Sequence, residues 1–305
     1  LISMKRKLVK QGDNALTITL PASWTKQFSL KPGDEIEVVE KEPDLLITTG
    51  KGEAEQRVSV DVSGKEPMIR RILSSCYKAG FDEVEVLFNT AEELKEIQWA
   101  FDQEFIAFEI VEQSRKAVIG KRISNIEPNE FDVMMRRTFL FLLQMAEDSL
   151  ESIKEQDFED IKQIGLRDRS INKFTDFCRR VLNKRVHVKY KRTNPLYYIV
   201  EEIEKTGDGY RDICNYVAEN KVTLSKKTLT LYGELNKFIR MFYEAFYKFD
   251  LEKIAAFGKA RYAMKDTFQE LLKTADKKES MVLFYLFMIF NAVFDMNGPL
   301  MAVNL

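Results

Sequence analysis

The chain has 305 residues, enough for two or three domains with cores of their own. Its formal net charge of -1 excludes a polycation, so any nucleic-acid contact must come from a local patch. One histidine, His187, excludes a His-based metal site and a Ser/His/Asp or Cys/His set, and the scattered Cys76, Cys178 and Cys214 read as reduced core thiols of a cytoplasmic protein.

The first segment runs from Met4 to Thr49. "LTITL" alternates with β-branched residues, "EIEVVE" alternates acidic and apolar residues, and "DLLITT" predicts another short strand. Pro32-Gly33 supplies a tight turn between them. Charge is segregated along this segment. Lys5, Arg6, Lys7, Lys10, Lys26 and Lys31 stand against Asp13 alone up to Gly33; Asp34, Glu35, Glu37, Glu40, Glu42 and Asp44 stand against Lys41 alone after it. So small a unit, with few large apolar side chains, cannot bury much by itself, and strand exchange or close pairing with a second copy is expected.

The second segment, about Glu55 to Asn125, alternates its periods. "RVSVDV" predicts a strand. "EPMIRRILSSCYKAG" predicts a helix with Pro67 near its start and Gly80 as its stop. "EVEVLF" is a strand, and "TAEELKEIQWAFDQE" is a helix opened by a Thr90/Glu93 capping box. "IAFEIVEQS" and "KAVIGKRIS" complete a βαβαββ order, the pattern of a small α/β domain. It carries no glycine-rich phosphate loop.

The third segment is helical to the end, with stretches at roughly 129–155, 157–190, 194–219, 222–248, 250–275 and 278–303. The short polar connections make successive helices antiparallel neighbours, and six helices in two sets of three suggest an internal repeat. The apolar run from Met281 is interrupted by Asn291, Asp295 and Asn297, so a buried terminal helix is preferred to a membrane span. No apolar run of the signal-peptide type stands at the front end. In "EEIEKTGDGYRDICNYV", Glu204, Asp208 and Asp212 follow one another at i+4 and share one helix face. No basic residue is expected between them on that face, so a cation should compensate them. Oxygen donors suit Mg, Mn, Fe or Ca better than a thiolate-loving metal; the alternative is a solvated acidic stripe.

"KLVKQGDNALTITLPASWTKQFSLKPGDEIEVVE" resembles the AbrB/SpoVT/MazE-type swapped-hairpin DNA-binding domain, most closely through "LKPGDEIEV", Gly12 and Leu20-Pro21. The resemblance implies a homodimer formed by exchanged hairpins and bound to double-stranded DNA. Lys5, Arg6, Lys7, Lys10, Asn14 and Thr17 are the implied DNA contacts, and Leu16, Ile18, Leu20, Trp24, Ile36 and Val38 the implied core. From about Glu130 on, the chain resembles the PhoU phosphate-uptake regulators, whose fold is two three-helix bundles in tandem. "IEKTGDGYRDICNY" is similar to their ExxxD helix and "LRDRSINKFTDFCRRVL" to the helix before it, with Asp168 at the acidic position. "ARYAMKDTFQELL", with Asp266, and "IFNAVFDMNGPL", where Asn291 replaces the glutamate and Asp295 remains, echo the two in the second half. This implies a metal site at Glu204, Asp208, Asp212 and Asp168, holding a divalent or ferric ion (Mg, Mn, Fe, Ca or Zn).

The expected organisation is therefore a swapped-hairpin β domain (1–52), a small α/β domain (53–127) and an all-α PhoU-like pair of bundles (128–305). This order resembles the archaeal PhoU-related regulators. It implies a cytoplasmic DNA-binding regulator of phosphate uptake, not an enzyme and not membrane-spanning. The runner-up is an adaptor acting by contacts on a phosphate ABC transporter or its signalling partner. A metallo-hydrolase ranks third, because no nucleophile, base and oxyanion donor accompany the carboxylates.

Overall fold

The computed structural model describes residues 4–12, 15–41, 44–49, 55–124, 130–184 and 192–305. The chain divides into two compact units, residues 1–55 and 56–305.

In the first unit, β1 (Val9–Gln11) pairs antiparallel with β2 (Ala15–Thr17), setting Lys10 opposite Leu16. The "LTITL" stretch is strand only as far as Thr17, where the ladder reaches its last partner, Val9. A short helix α1 (Ala22–Gln27) follows Pro21, whose fixed φ suits the position before a first turn. The turn at Lys31 to Asp34 is closed by the Asp34 N–H on the Lys31 carbonyl at 3.0 Å, and Gly33 supplies its φ of +97°. Strands β3 (Glu37–Lys41) and β4 (Asp44–Thr48) then pair antiparallel, with Val38 opposite Ile47.

The second unit begins with an α/β layer: β5 (Arg57–Asp61), α2 (Ile69–Ala79), β6 (Glu83–Leu87), α3 (Ala91–Trp99), a π-helical turn (Ala100–Glu104), β7 (Phe108–Gln113) and β8 (Ala117–Arg122). The sheet order is β5-β6-β8-β7, with β5 and β6 parallel and the remaining pairs antiparallel. The alternation of "EVEVLF" turns Val84, Val86 and Phe88 into a core with Leu73, Tyr77, Ile97, Phe101 and Val118. Both bonds of the Thr90/Glu93 capping box are formed, and Gly80, at φ +99°, ends α2.

Helices fill the rest: α4 (Glu130–Glu155), α5 (Phe158–Gly165), α6 (Asp168–Asn183), α7 (Thr193–Asn220), α8 (Lys226–Tyr247), α9 (Leu251–Thr274), α10 (Lys277–Asp295) and α11 (Asn297–Asn304). Helices α4, α6 and α7 pack on one another, as do α8, α9 and α10; α7 against α10 and α4 against α8 join the two sets. The single helix expected over 157–190 is two. The Leu166 and Arg167 N–H groups turn back to the Gln163 and Ile164 carbonyls in i→i+3 bonds, and α6 restarts at Asp168. His187 and the rest of 185–191 lie outside the described residues. The stretch Lys277–Asn304 is long and apolar enough to cross a membrane, and 44% of its most apolar window is buried. One side of α10, with Val282, Leu283, Leu286, Ile289, Phe290 and Val293, belongs to the helical core.

Candidate DNA-binding arm and acidic helix face

The first unit has no buried residue among those described. Leu16 is 65% exposed, Ile18 50% and Val38 52%, while Leu20, Trp24 and Ile36 are half-buried. Within one chain, therefore, the six residues expected as core do not form one. Leu8, Leu45 and Leu46 add to the uncovered apolar surface. A groove of about 400 Å³ lies among Met4, Leu20, Pro21, Trp24 and Ile47. Lys5, Arg6, Lys7 and Lys10 are all exposed, on the strand β1 and the run leading to it. Thr17 is exposed as well, but its hydroxyl donates to the Val9 carbonyl at 3.1 Å and so braces the hairpin. Asn14 lies outside the described residues.

The acidic face lies in the second unit, where α6 runs beside α7. Asp168, in the first turn of α6, is 2% exposed. Glu204, Asp208 and Asp212 line the facing side of α7, partly open to solvent. Gly207 keeps this contact close: a Cβ there would lie 3.1 Å from Asp168 Oδ1. The expectation that no basic side chain stands among the carboxylates is corrected. Arg211 follows Asp208 by three residues and precedes Asp212 by one. Its guanidinium pairs with Asp208, with Asp168 Oδ2 at 3.0 Å and with Asp212 Oδ1 at 2.9 Å. Arg179 of α6, 2% exposed, pairs with Glu204, with Glu201 at 2.7 Å and with Asp176 at 3.2 Å. Burial, and then the neighbouring Asp208 charge, pushes Asp168 up to about 6 against the pull of Arg211.

These hard oxygen donors are of the right kind for a Mg²⁺-like ion. The position that such an ion would need, however, is taken by the Arg211 guanidinium. Among the described residues no three acidic, histidine or cysteine side chains converge as a metal ion requires. As arranged, the residues do not fit a metal ion. The echo in the second half is weaker: Asp266 and Asp295 are exposed, and Asn291 accepts a hydrogen bond from Arg261 at 3.2 Å.

Sequence reasoning missed the arginines, although the signal was present in the motifs themselves. Arg211 sits inside "GDGYRDIC", at i+3 from Asp208, a spacing that brings opposite charges together on a helix. The "RR" of "FCRRVL" supplies Arg179 and Arg180, and Arg180 is fully buried against the α/β layer.

Helices α2 and α3 of the α/β layer, the π-helical turn, and α6 and α7 line a cleft of about 1050 Å³, walled by Arg70, Lys78, Glu104, Asp176, Glu204 and Arg211. Burial, then the nearby Asp176, pushes Glu104 up to about 7.

Comparison with curated proteins and with solved structures gave no match for this chain. Residues 9–54, which hold β1 to β4 and α1, match the family model described as antidote-toxin recognition MazE, bacterial antitoxin.

Proposed function

We propose that the chain is a homodimeric, cytoplasmic DNA-binding regulator. In this reading the first unit is a shared DNA-reading arm and the α/β and helical parts carry the signal. A MazE/AbrB-type domain at residues 9–54 is consistent with a DNA-binding regulator. The observation that carries the reading is the state of that unit in a single chain. It has cations exposed along β1 and apolar side chains uncovered, and it has no core among the described residues. A second copy would cover the apolar faces and set two basic arms side by side.

The finer reading is regulation of phosphate uptake without catalysis. It rests on the resemblance of the helical part to PhoU proteins. The mutual packing of α4, α6 and α7, and of α8, α9 and α10, supports two three-helix bundles. The runner-up, an adaptor working by protein contacts alone, gives no role to Lys5, Arg6, Lys7 and Lys10.

Genome-wide mapping of bound DNA at high and low phosphate tests both levels. Enrichment upstream of transport operons supports the full reading; enrichment elsewhere keeps the regulator and removes phosphate; no enrichment favours the adaptor. In vitro, neutralising Lys5, Arg6 and Lys7 should make the log–log salt slope of DNA affinity shallower by a few units, at about 0.9 per lost phosphate contact.

A further inference from the structure

Every carboxylate of the acidic face touches a guanidinium. Arg211 holds Asp168, Asp208 and Asp212, and Arg179 holds Asp176, Glu201 and Glu204. The two arginines split the acids into two groups, one around each fork.

A metal ion and a guanidinium both neutralise carboxylates, but they ask for different geometry. A Mg²⁺ or Ca²⁺ ion gathers six or more oxygens around one point at roughly 2.0–2.6 Å. A guanidinium is planar, and it spreads its acceptors around its edge at roughly 2.7–2.9 Å. The distances of 3.0 Å to Asp168 and 2.9 Å to Asp212 are of the second kind. Arginine also keeps its charge at any pH that the folded protein meets, and no chelator removes it. The remaining oxygen of Asp168, Oδ1, is buried against Gly207 and has no hydrogen-bond partner among the described residues. The oxygen that loss of the guanidinium would free for an ion is Oδ2, the one Arg211 holds.

We infer that Arg211 is the resident cation of the α6–α7 acidic face: it stands where a metal ion would bind, and its removal uncovers a divalent-cation site made by Asp168, Asp208 and Asp212. The α6–α7 pair is then held closed by the chain itself, without dependence on metal supply. This inference is independent of the DNA reading, since nothing in it uses the first unit.

The test uses the full chain as wild type, Arg211→Ala and Arg211→Lys. Each is stripped with a chelator, dialysed against micromolar Mn²⁺ and analysed for bound metal, and its melting temperature is recorded with chelator and with Mn²⁺. Wild type and Arg211→Lys should retain no Mn²⁺ and melt alike in both buffers. Arg211→Ala should take up about one Mn²⁺ per chain and melt several degrees higher with it. Stoichiometric metal in wild type, or a wild-type melting temperature that falls under chelation, overturns the inference. So does a folded Arg211→Ala protein that takes up no metal. If Arg211→Ala does not fold, the wild-type metal content still decides between guanidinium and ion.

Discussion

Asp82 and Arg180 meet out of solvent, with Arg180 Nη2 3.0 Å from Asp82 Oδ1. Asp82 precedes β6 in the α/β layer, and Arg180 lies in the last turn of α6. The other terminal nitrogen of Arg180 donates to the Tyr77 and Phe81 carbonyls, each at 2.8 Å. Its guanidinium also stands over the Phe108 ring at 4.8 Å. Lys184, at 2.5 Å, and Arg122, at 2.7 Å, share the same carboxylate. Burial alone would raise the Asp82 pKa. The Lys184 and Gln56 hydrogen bonds and the surrounding cations outweigh burial and hold it below the ordinary value. The α/β core and the helical core are separate apolar clusters, and this polar joint links them, beside the Ser74–Asp176 hydrogen bond.

Asp82→Ala should therefore be severe. It leaves the buried Arg180 and Lys184 without their shared counter-ion, and a broken buried pair costs about 3–5 kcal/mol. Urea denaturation of the full chain measures it. Arg180→Met should cost less, because it removes the buried charge along with the bond. A loss under about 1 kcal/mol for Asp82→Ala would mean that water reaches the joint.

Glu104 predicts a pH dependence of the opposite sign to that of an ion-paired acid. Its folded pKa, about 7, lies above the unfolded value near 4.5, so the native state binds the extra proton between the two. Stability from this group is full below about pH 4.5 and falls as pH rises towards 7. Glu104→Gln, which cannot ionise, should remove that fall. After allowance for partial exposure, the gain at pH 8 should be about 1–2 kcal/mol. Unfolding free energies across pH 4 to 8 for the two proteins should converge at the acid end. Parallel curves would show that Glu104 titrates normally.

Much of the fold was legible because its signals are local. The capping box at Thr90 and Glu93, the stop at Gly80 and the alternation of "EVEVLF" each depend on residues a few positions apart. The break at Leu166 and Arg167 was missed although Gly165 stands before it and the polar run Arg167 to Ser170 begins at it. Nearby, Gly165 lies close to α7: a Cβ there would be 3.2 Å from Cys214 Cβ. The acidic face was half legible. The i+4 spacing of Glu204, Asp208 and Asp212 gave the shared face, but Arg179 reaches it from another helix, and no spacing within α7 reports that. The π-helical turn at Ala100 to Glu104 likewise has no period of its own in the sequence.

The uncovered side chains of the first unit predict an assembly that point changes can dissolve. Leu16→Ser and Ile18→Ser alter residues half or more exposed in one chain, so they remove little from a monomer. If a second copy covers them, each should weaken the dimer by about 1–2 kcal/mol, which sedimentation at several concentrations reads directly. The thermal transition of residues 56–305 should stay where it is. A first unit that sediments as a folded monomer in wild type would remove the shared-arm reading.

Two helical glycines should respond in opposite directions. Gly209 on α7 faces α10: a Cβ there would lie 2.5 Å from Cγ1 of the buried Ile289. Gly209→Ala should gain helix propensity yet lose more to overpacking, for a net cost of about 1–2 kcal/mol. Gly258 on α9 has nothing within 4 Å of the added methyl. Gly258→Ala should stabilise by about 0.5–1 kcal/mol, mainly by narrowing the unfolded ensemble. The origin of the Gly209 penalty can be isolated in an Ile289→Ala background, where the clashing atoms are gone. There Gly209→Ala should become neutral or stabilising, a coupling of about 1–3 kcal/mol between the two sites. Additive effects in that cycle would place the cost in the α7 backbone and not in its contact with α10.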